Sequence, residues 1–269
     1  MNAIIFYNFE PPMVNGSLIN AIEYFLCAYE HNKGVYLYFI NTTEITRKQF
    51  IELIKDRYKL NGLEGYENNI VTCLKNDLIR IKFNTVLVFD YATIKKTKGL
   101  INADKILVVS DALTTNLDYL YSKKAQNVIY YGEMPFQYKD YRYTMKMLFS
   151  RFKEISTCEK TTYIHSPKNP DTSFVEALDL PDQPIMFRQP GHMKSLFSKF
   201  DTFVYYHAHT WFDPTPRLMH ESYFYNKKIV YINEFKFKDG SWYRYKDLMK
   251  FGLVNRYLNA FDVIIGQLI

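Results

Sequence analysis

NAIIFYNFEPPMVNGSLINAIEYFLCAYEHNKGVYLYFI, residues 2–40, decides the fold. Two short runs of apolar, β-branched and aromatic side chains, Asn2–Asn8 and Val35–Ile40, flank a longer segment whose apolar residues recur at helical spacing. Ser17 is the predicted N-cap of that helix, and Gly34 follows its end. This strand–helix–strand pattern is typical of a parallel sheet covered by helices. The sequence therefore predicts an α/β fold.

The same alternation continues along the chain. A helix is predicted at Tyr141–Ile155, before a polar segment and a second series of strands. The remaining predicted strands are Asn69–Cys73, Thr85–Phe89, Lys105–Val109 and Asn127–Tyr131 in the first series, and Thr161–His165, Pro184–Arg188, Thr202–Tyr206 and Lys228–Ile232 in the second.

The restart of the strand series predicts a domain boundary at Ile155–Thr161. We expect an N-terminal domain over residues 1–157 and a C-terminal domain over residues 158–269, two Rossmann-like domains facing each other across a cleft. The alternative is one continuous sheet of about ten strands, which is near the upper size of a twisted open sheet.

Composition excludes several classes of protein. With 48% hydrophobic residues the 269-residue chain can bury a core, so it is not a disordered tail. Three isolated cysteines, without a CxxC pair or zinc-ligand spacing, exclude a disulfide scaffold and a structural zinc site. No apolar run is long enough to span a membrane, and we expect a soluble, cytoplasmic protein. The net charge of +6 is compatible with a polyanionic partner but does not require one.

Candidate catalytic residues follow the strands of the first half. Neither GxxxxGK[ST] nor a GxGxxG after the first strand is present, so P-loop and dinucleotide chemistry are not expected. A turn at Asn15, Gly16 and Ser17 could instead place backbone N–H groups in the cleft, or simply cap a helix. Glu10, Asp90 and Asp111 are candidate bases for an acceptor hydroxyl, although carboxylates at strand ends are also common helix N-caps.

The densest group of polar residues follows the strand Thr202–Tyr206. Pro214 and Pro216 set a turn before a helix that we expect to begin near Thr215. The start of such a helix, with its free N–H groups, Thr215 and Arg217, suits a phosphate. Glu221 lies one turn later on the face of Arg217, where it could accept ribose hydroxyls or form a surface ion pair with that arginine.

Asp213 and Glu221 are separated by seven residues, and the segment between them, with Pro214, Thr215 and Arg217, lies between two apolar strands. This arrangement resembles the donor-binding segment of GT-B-fold glycosyltransferases, which has an acidic-x7-acidic motif. The resemblance implies that Asp213 lies near the transferring sugar and Glu221 at the ribose. The first acidic position is usually Glu in that family, and Asp213 departs from the pattern.

Other strand ends fit the same resemblance. It implies donor-phosphate contacts at Ser166 and Lys168, recognition of the nucleotide base near Gln189, and a contact of His207 with the sugar or the phosphates. His207, His209 and Asp213 could alternatively form a metal site. The resemblance implies that no metal and no cofactor is needed beyond the nucleotide sugar, a UDP-sugar being expected.

Size and a Lys-, Asn- and Tyr-rich composition make the chain similar to glycosyltransferases of T-even-like bacteriophages, which modify 5-hydroxymethylcytosine in DNA. The resemblance implies double-stranded DNA as the acceptor and the host cytoplasm as the location. Two alternatives stay open. One is a bacterial transferase acting on a surface polysaccharide or a lipid-linked acceptor, and the other is a non-catalytic nucleotide- or nucleic-acid-binding protein.

Overall fold

The structure is a computed structural model of the chain. It describes residues 1–7, 16–89, 93, 96–97, 99–110, 128–132, 142–143, 151–155, 158–165, 175, 178–187, 193–206, 217–232, 235–236, 242–243 and 264–269.

The first sheet is entirely parallel, as the apolar strand runs predict. In the described part of the chain it has seven strands in the order β3-β2-β1-β4-β5-β6-β7. Their bounds are β1 Asn2–Tyr7, β2 Val35–Ile40, β3 Ile70–Cys73, β4 Lys82–Phe89, β5 Asn102–Ser110, β6 Val128–Gly132 and β7 Arg142–Tyr143.

Helices α1 (Gly16–His31) and α2 (Glu44–Arg57) connect the first three strands of this sheet. Because crossover helices cover a parallel sheet, its strands are apolar on both faces. Ile5 and Val88 belong to a buried cluster on one face, and α1 packs against β1, β2 and β4. Short 3₁₀ helices at Tyr66–Asn69 and Lys75–Arg80 precede and follow β3.

The second sheet is a separate parallel sheet with the order β11-β10-β8-β9. Its strands are β8 Thr162–His165, β9 Ile185–Phe187, β10 Thr202–Tyr206 and β11 Lys228–Ile232. Helices α3 (Met193–Ser198) and α4 (Arg217–Phe224) precede and follow β10. A small antiparallel pair, β12 (Phe235–Lys236) and β13 (Trp242–Tyr243), comes later in the chain.

These sheets confirm the predicted α/β class and are consistent with Rossmann-like folds, and the parallel strands of the described residues form two sheets rather than one continuous sheet. The predicted helix at Tyr141–Ile155 is wrong at both ends. Arg142–Tyr143 forms β7, and Phe152 forms an antiparallel bridge with Tyr58. Ser17 is also not an N-cap, because α1 already begins at Gly16.

Two compact units divide the chain. One contains Met1–Lys153 together with Val254–Ile269, and the other is Glu154–Leu253. The first unit thus includes the last residues of the chain, which we had assigned by sequence to the C-terminal domain. Asn2 donates a hydrogen bond from Nδ2 to the carbonyl of Leu268 (2.7 Å), and the side chains of Ile264 and Leu268 are buried.

Within the described ranges, no helix combines the length and the apolar character needed to cross a membrane.

Candidate functional site

In each parallel sheet, successive strands are added first on one side of the starting strand and then on the other. The strand order therefore contains one point at which the direction of chain winding reverses. In the first sheet this point lies between β1 and β4, because β2 and β3 continue on one side of β1 while β4 to β7 lie on the other. In open α/β sheets, ligands bind beyond the carboxyl ends of the strands at such a point. Tyr7 ends β1 and Phe89 ends β4, so Glu10 and Asp90 follow the two relevant strands in sequence.

The second sheet has its corresponding point between β8 and β10, which pair in parallel with His165 opposite Tyr205. Ser166 and Lys168 follow β8 in sequence, and His207 follows β10. The topology therefore brings together the strand ends that precede three of the predicted donor-binding residues.

Helix α4 connects β10 to β11 and contacts both strands. Because those strands are parallel, the helix that connects them runs back along the sheet and begins at its carboxyl edge. The helix ends at Phe224, and Asn226 follows it with a φ of 55°. The N–H of Asn226 donates to the carbonyl of Tyr223, and that of Lys227 to the carbonyl of Ser222, which is the hydrogen-bond pattern of a Schellman cap.

The predicted pair on this helix is in contact. Arg217 Nε donates to Glu221 Oε1 at 2.7 Å, with 6% and 0% of the two side chains exposed. The pairing agrees with the four-residue spacing. However, the pair lies in the interior and is not the surface ion pair considered as the alternative from sequence. Contact of Glu221 with a ribose stays a prediction.

A buried ion pair has a distinctive energetic balance. Removing both charges from water costs several kcal/mol per ion, roughly, and their attraction repays this only with good geometry. Such a pair is therefore weak evidence for a role in stability, whereas breaking it by removing one partner is strongly destabilising. The hydrogen bond between Nε and Oε1 also restrains the Arg217 guanidinium.

At the carboxyl edge of the first sheet, hydrogen bonds made by Asn41 connect the ends of β1, β2 and β3. Asn41, with a φ of 57°, follows β2 and donates from its backbone to the carbonyl of Cys73 and from Nδ2 to the hydroxyl of Tyr7, both at 2.8 Å. Its Oδ1 accepts a hydrogen bond from the N–H of Lys75. Asn41 is one of the residue types that adopt positive φ readily, which explains its use at this corner.

Tyr7 has further contacts at the reversal point. Its N–H donates to Thr93 Oγ1 at 3.1 Å, and Lys96 Nζ lies 5.7 Å from the centre of its ring. At the end of β3, on the far side of β2 from β1, burial raises the pKa of the Cys73 thiol to about 11, with a smaller contribution from the charge of Asp77. The Cys73 thiol is therefore protonated at neutral pH.

Gly16 and Ser17 lie in the first turn of α1, the helix that comes after β1 in the chain. Arg217 and Glu221 are the described residues of the predicted donor-binding set. The other predicted site residues lie outside the described residues, and their assigned roles stay predictions: Glu10, Asn15, Asp90, Asp111, Ser166, Lys168, Gln189, His207, Asp213 and Thr215.

Among the residues that the structure describes, no group of three or more His, Cys, Asp and Glu side chains is arranged to hold a metal ion. The alternative metal ligands His207, His209 and Asp213 lie outside those residues.

Two side chains at the reversal points were not singled out from the sequence. Tyr7 is the last residue of β1, and His165 is the last residue of β8, half-buried with its ring 5.9 Å from that of Tyr205. The signal that could have identified them is their place at the end of a strand. It becomes informative only once the strand order is known.

Comparison of the chain with protein-family models, with curated proteins and with solved structures found no match.

Proposed function

We propose that this chain is a metal-independent glycosyltransferase of the GT-B type, which transfers a sugar from a nucleotide diphosphate sugar to an acceptor hydroxyl. The donor, a UDP-sugar, binds at the carboxyl edge of the sheet β11-β10-β8-β9. The acceptor binds at the carboxyl edge of the seven-stranded sheet. The proposal includes a cleft between the two units, as in that family.

The observation that carries the proposal is the buried Arg217–Glu221 pair at the start of α4. It lies on the helix that follows β10, one of the two strands at which the winding of the second sheet reverses. The combination supports an anion site because a helix start attracts negative charge and a fixed guanidinium binds phosphate with two parallel hydrogen bonds. A nucleotide diphosphate supplies such an anion.

The proposed reaction leaves a negative charge on the departing diphosphate and releases a proton from the acceptor hydroxyl. The acceptor oxygen forms a bond to the anomeric carbon while the bond from that carbon to the phosphate oxygen breaks, and the diphosphate leaves with the electron pair. Arg217 and Lys168 stabilise the negative charge on the leaving group, which is the task a metal ion performs elsewhere. The acceptor proton passes to a carboxylate, for which Glu10, Asp90, Asp111 and Asp213 are the candidates.

Double-stranded DNA containing 5-hydroxymethylcytosine is the proposed acceptor, and the cytoplasm of a phage-infected host is the proposed location. The support is the net charge of +6 and the composition that resembles phage transferases. Unmodified cytosine offers no hydroxyl for the reaction. A modified base in duplex DNA must leave the stack to reach a cleft.

The test is to incubate the full chain with candidate nucleotide sugars and two matched duplexes, one containing cytosine and one containing 5-hydroxymethylcytosine. The products are digested to nucleosides and weighed by mass spectrometry. We expect a sugar adduct on the modified base alone, and the same adduct with Glu52→Gln, a control variant on an exposed face of α2.

The other outcomes separate the parts of the proposal. Transfer to a glycan or lipid acceptor with none to DNA would reject the DNA acceptor and keep the glycosyltransferase. Nucleotide binding without transfer to any acceptor would favour a non-catalytic binding protein. No binding of any nucleotide or nucleotide sugar would reject the donor site.

A further inference from the structure

We propose that the carboxyl edge of the seven-stranded sheet holds a phosphate group of the acceptor nucleic acid. The ammonium group of Lys96 and the hydroxyl of Tyr7 donate to the phosphate oxygens, and Asn41 positions Tyr7. The inference rests on the proposed function, because it takes a nucleic acid as the acceptor.

The place of the two donors in the sheet is the first step. Tyr7 is the last residue of β1, and Lys96 lies in the chain between β4 and β5. The two residues therefore follow the strands at which the winding of this sheet reverses, where open α/β sheets bind ligands. Lys96 Nζ lies 5.7 Å from the centre of the Tyr7 ring, so a phenol and an ammonium group are neighbours at this edge.

The chain around Lys96 is held by two buried threonines. Thr93 and Thr97 have no exposed surface, and the hydroxyl of Thr97 donates to the carbonyl of Thr93 at 2.8 Å. Thr93 Oγ1 in turn accepts from the N–H of Tyr7 at 3.1 Å. Lys96 itself is exposed. Its backbone is thus fastened to the end of β1, while its side chain is open to solvent.

Asn41 determines which hydrogen bond the Tyr7 hydroxyl can still make. Asn41 Nδ2 donates to the Tyr7 hydroxyl oxygen at 2.8 Å, and its Oδ1 accepts from the N–H of Lys75 at 3.2 Å. A phenol also carries one O–H donor. Among the described residues, none accepts this O–H and no carboxylate forms an ion pair with Lys96. Both groups can therefore donate to a ligand.

A second lysine–tyrosine pair in the same unit provides a contrast. Lys33, which precedes β2, has its Nζ 4.2 Å from the centre of the Tyr29 ring. Lys33 Nζ donates to the carbonyl of Gly62 at 3.1 Å, and the Tyr29 hydroxyl donates to the carbonyl of Glu64 at 3.2 Å. The chain itself therefore binds the ammonium and the phenol of this pair, unlike those at the carboxyl edge.

The chemistry of the two donors favours a phosphate. Hydrogen bonds from a cationic donor to an anionic oxygen are stronger than those between neutral groups. Lysine and tyrosine side chains bind phosphates in interfaces with nucleic acids, where they position the strand without reading its sequence. A nucleotide that leaves the duplex stays attached to the backbone, so its phosphates come with it to this edge.

The test is binding of the full chain to fluorescein-labelled duplexes containing cytosine or 5-hydroxymethylcytosine, measured by fluorescence anisotropy between about 50 and 200 mM NaCl. Lys96→Gln should weaken both duplexes by the same factor. It should also reduce the slope of log affinity against log salt by about 0.9, the value for one phosphate. Tyr7→Phe should weaken both duplexes about tenfold without changing the slope, because it removes a hydrogen bond but no charge. The control Lys33→Gln should bind as the wild type does.

Asn41→Gly tests the positioning role. Glycine adopts the φ of 57° at this position readily but lacks the amide. DNA affinity should fall as in Tyr7→Phe, and the double variant Tyr7→Phe with Asn41→Gly should bind no more weakly than either single variant. Additive losses would show that Asn41 does not act through Tyr7.

Several outcomes would overturn the phosphate site. They are an unchanged salt slope in Lys96→Gln, an equal loss of affinity in Lys33→Gln, and an effect of Lys96→Gln confined to the hydroxymethylated duplex. Absence of DNA binding by the wild type would overturn it as well. Binding of the wild type to anionic lipid vesicles instead of DNA would assign this edge to a membrane surface.

Sugar transfer separates this inference from the proposed function. If the salt slope changes as expected but no duplex receives a sugar from any donor, the phosphate site stands and the proposed function fails. If the wild type transfers a sugar to the modified duplex and Lys96→Gln binds that duplex like the wild type, the function stands and the inference fails.

Discussion

Two arginines at the start of helices use their guanidinium groups differently. Arg47 lies in the first turn of α2, which follows β2, and Arg217 lies in the first turn of α4, which follows β10. Arg47 donates from Nε to the carbonyl of Ile70 at 2.6 Å, from Nη2 to the carbonyl of Glu67, and from Nη1 to Glu44 at 2.9 Å. Arg217 instead donates from Nε to the buried carboxylate of Glu221.

The difference shows two uses of the same residue type. Both ends of the Arg47 fork are bound by the protein, and its acidic partner Glu44 is 58% exposed, so this arginine fastens α2 to the chain before β3. The Glu221 carboxylate is fully buried beside Arg217, where a charge is costly. Arg47 is therefore structural, whereas the function proposed above assigns Arg217 to the donor site.

The largest expected effect is on stability. Arg217→Ala leaves the buried carboxylate of Glu221 without its guanidinium and should lower the free energy of unfolding by about 3–5 kcal/mol. The double variant Arg217→Met with Glu221→Leu should be close to the wild type, because neither charge remains to be desolvated. Urea unfolding followed by circular dichroism measures both. A loss of less than about 1 kcal/mol in Arg217→Ala would place the pair at the surface.

Arg47→Ala should have an intermediate effect on stability and none on the donor. It removes hydrogen bonds to two backbone carbonyls and should cost about 1–3 kcal/mol. Affinity for UDP should stay that of the wild type. If calorimetric titration instead shows weaker UDP binding in the folded Arg47→Ala variant, the division between a structural and a ligand-binding arginine is wrong.

The exposed pair on α2 gives a small expected effect. Lys55 Nζ lies 3.3 Å from Glu52 Oε1, and the two side chains are 46% and 73% exposed. Glu52→Ala should change the free energy of unfolding by about 0.5 kcal/mol or less, since solvent and salt screen such pairs. Urea unfolding at low and high salt measures it, and a change as large as that in Arg217→Ala would remove the contrast between buried and exposed pairs.

No effect is expected from removal of metal ions. The proposal assigns the phosphates to Arg217 and Lys168, so sugar transfer should proceed unchanged in excess EDTA. Activity that EDTA abolishes and that Mn²⁺ or Mg²⁺ restores would instead move His207, His209 and Asp213 into a metal site.

The sequence was sufficient for the parallel strands of the described residues other than β7, but not for the short antiparallel pair β12 and β13. Val35–Ile40, Thr202–Tyr206 and Lys228–Ile232 were predicted with the bounds that the structure has, because each is a short apolar run between polar residues. The strand Arg142–Tyr143 was not predicted, since two residues carry no periodicity and their state depends on pairing with β6. The grouping of Val254–Ile269 with the first unit likewise depends on contacts far apart in sequence.

The candidate site was predictable only in part. The four-residue spacing of Arg217 and Glu221 predicted that they could pair, and they do. Their burial could not be predicted, because it depends on tertiary packing, which residue spacing does not encode. Tyr7 and His165 were missed for a similar reason, since the strand order that makes their positions informative is a property of the whole sheet.

Thermal unfolding with a panel of nucleotide sugars and nucleoside diphosphates tests the central claim most directly. A ligand at about 100 times its Kd should stabilise the folded chain by about 2.7 kcal/mol. We expect a UDP-sugar to raise the melting temperature of the wild type and of Glu52→Gln by several degrees, and not that of the double variant Arg217→Met with Glu221→Leu. Equal shifts in all three proteins, or no shift with any member of the panel, would contradict a donor site at Arg217.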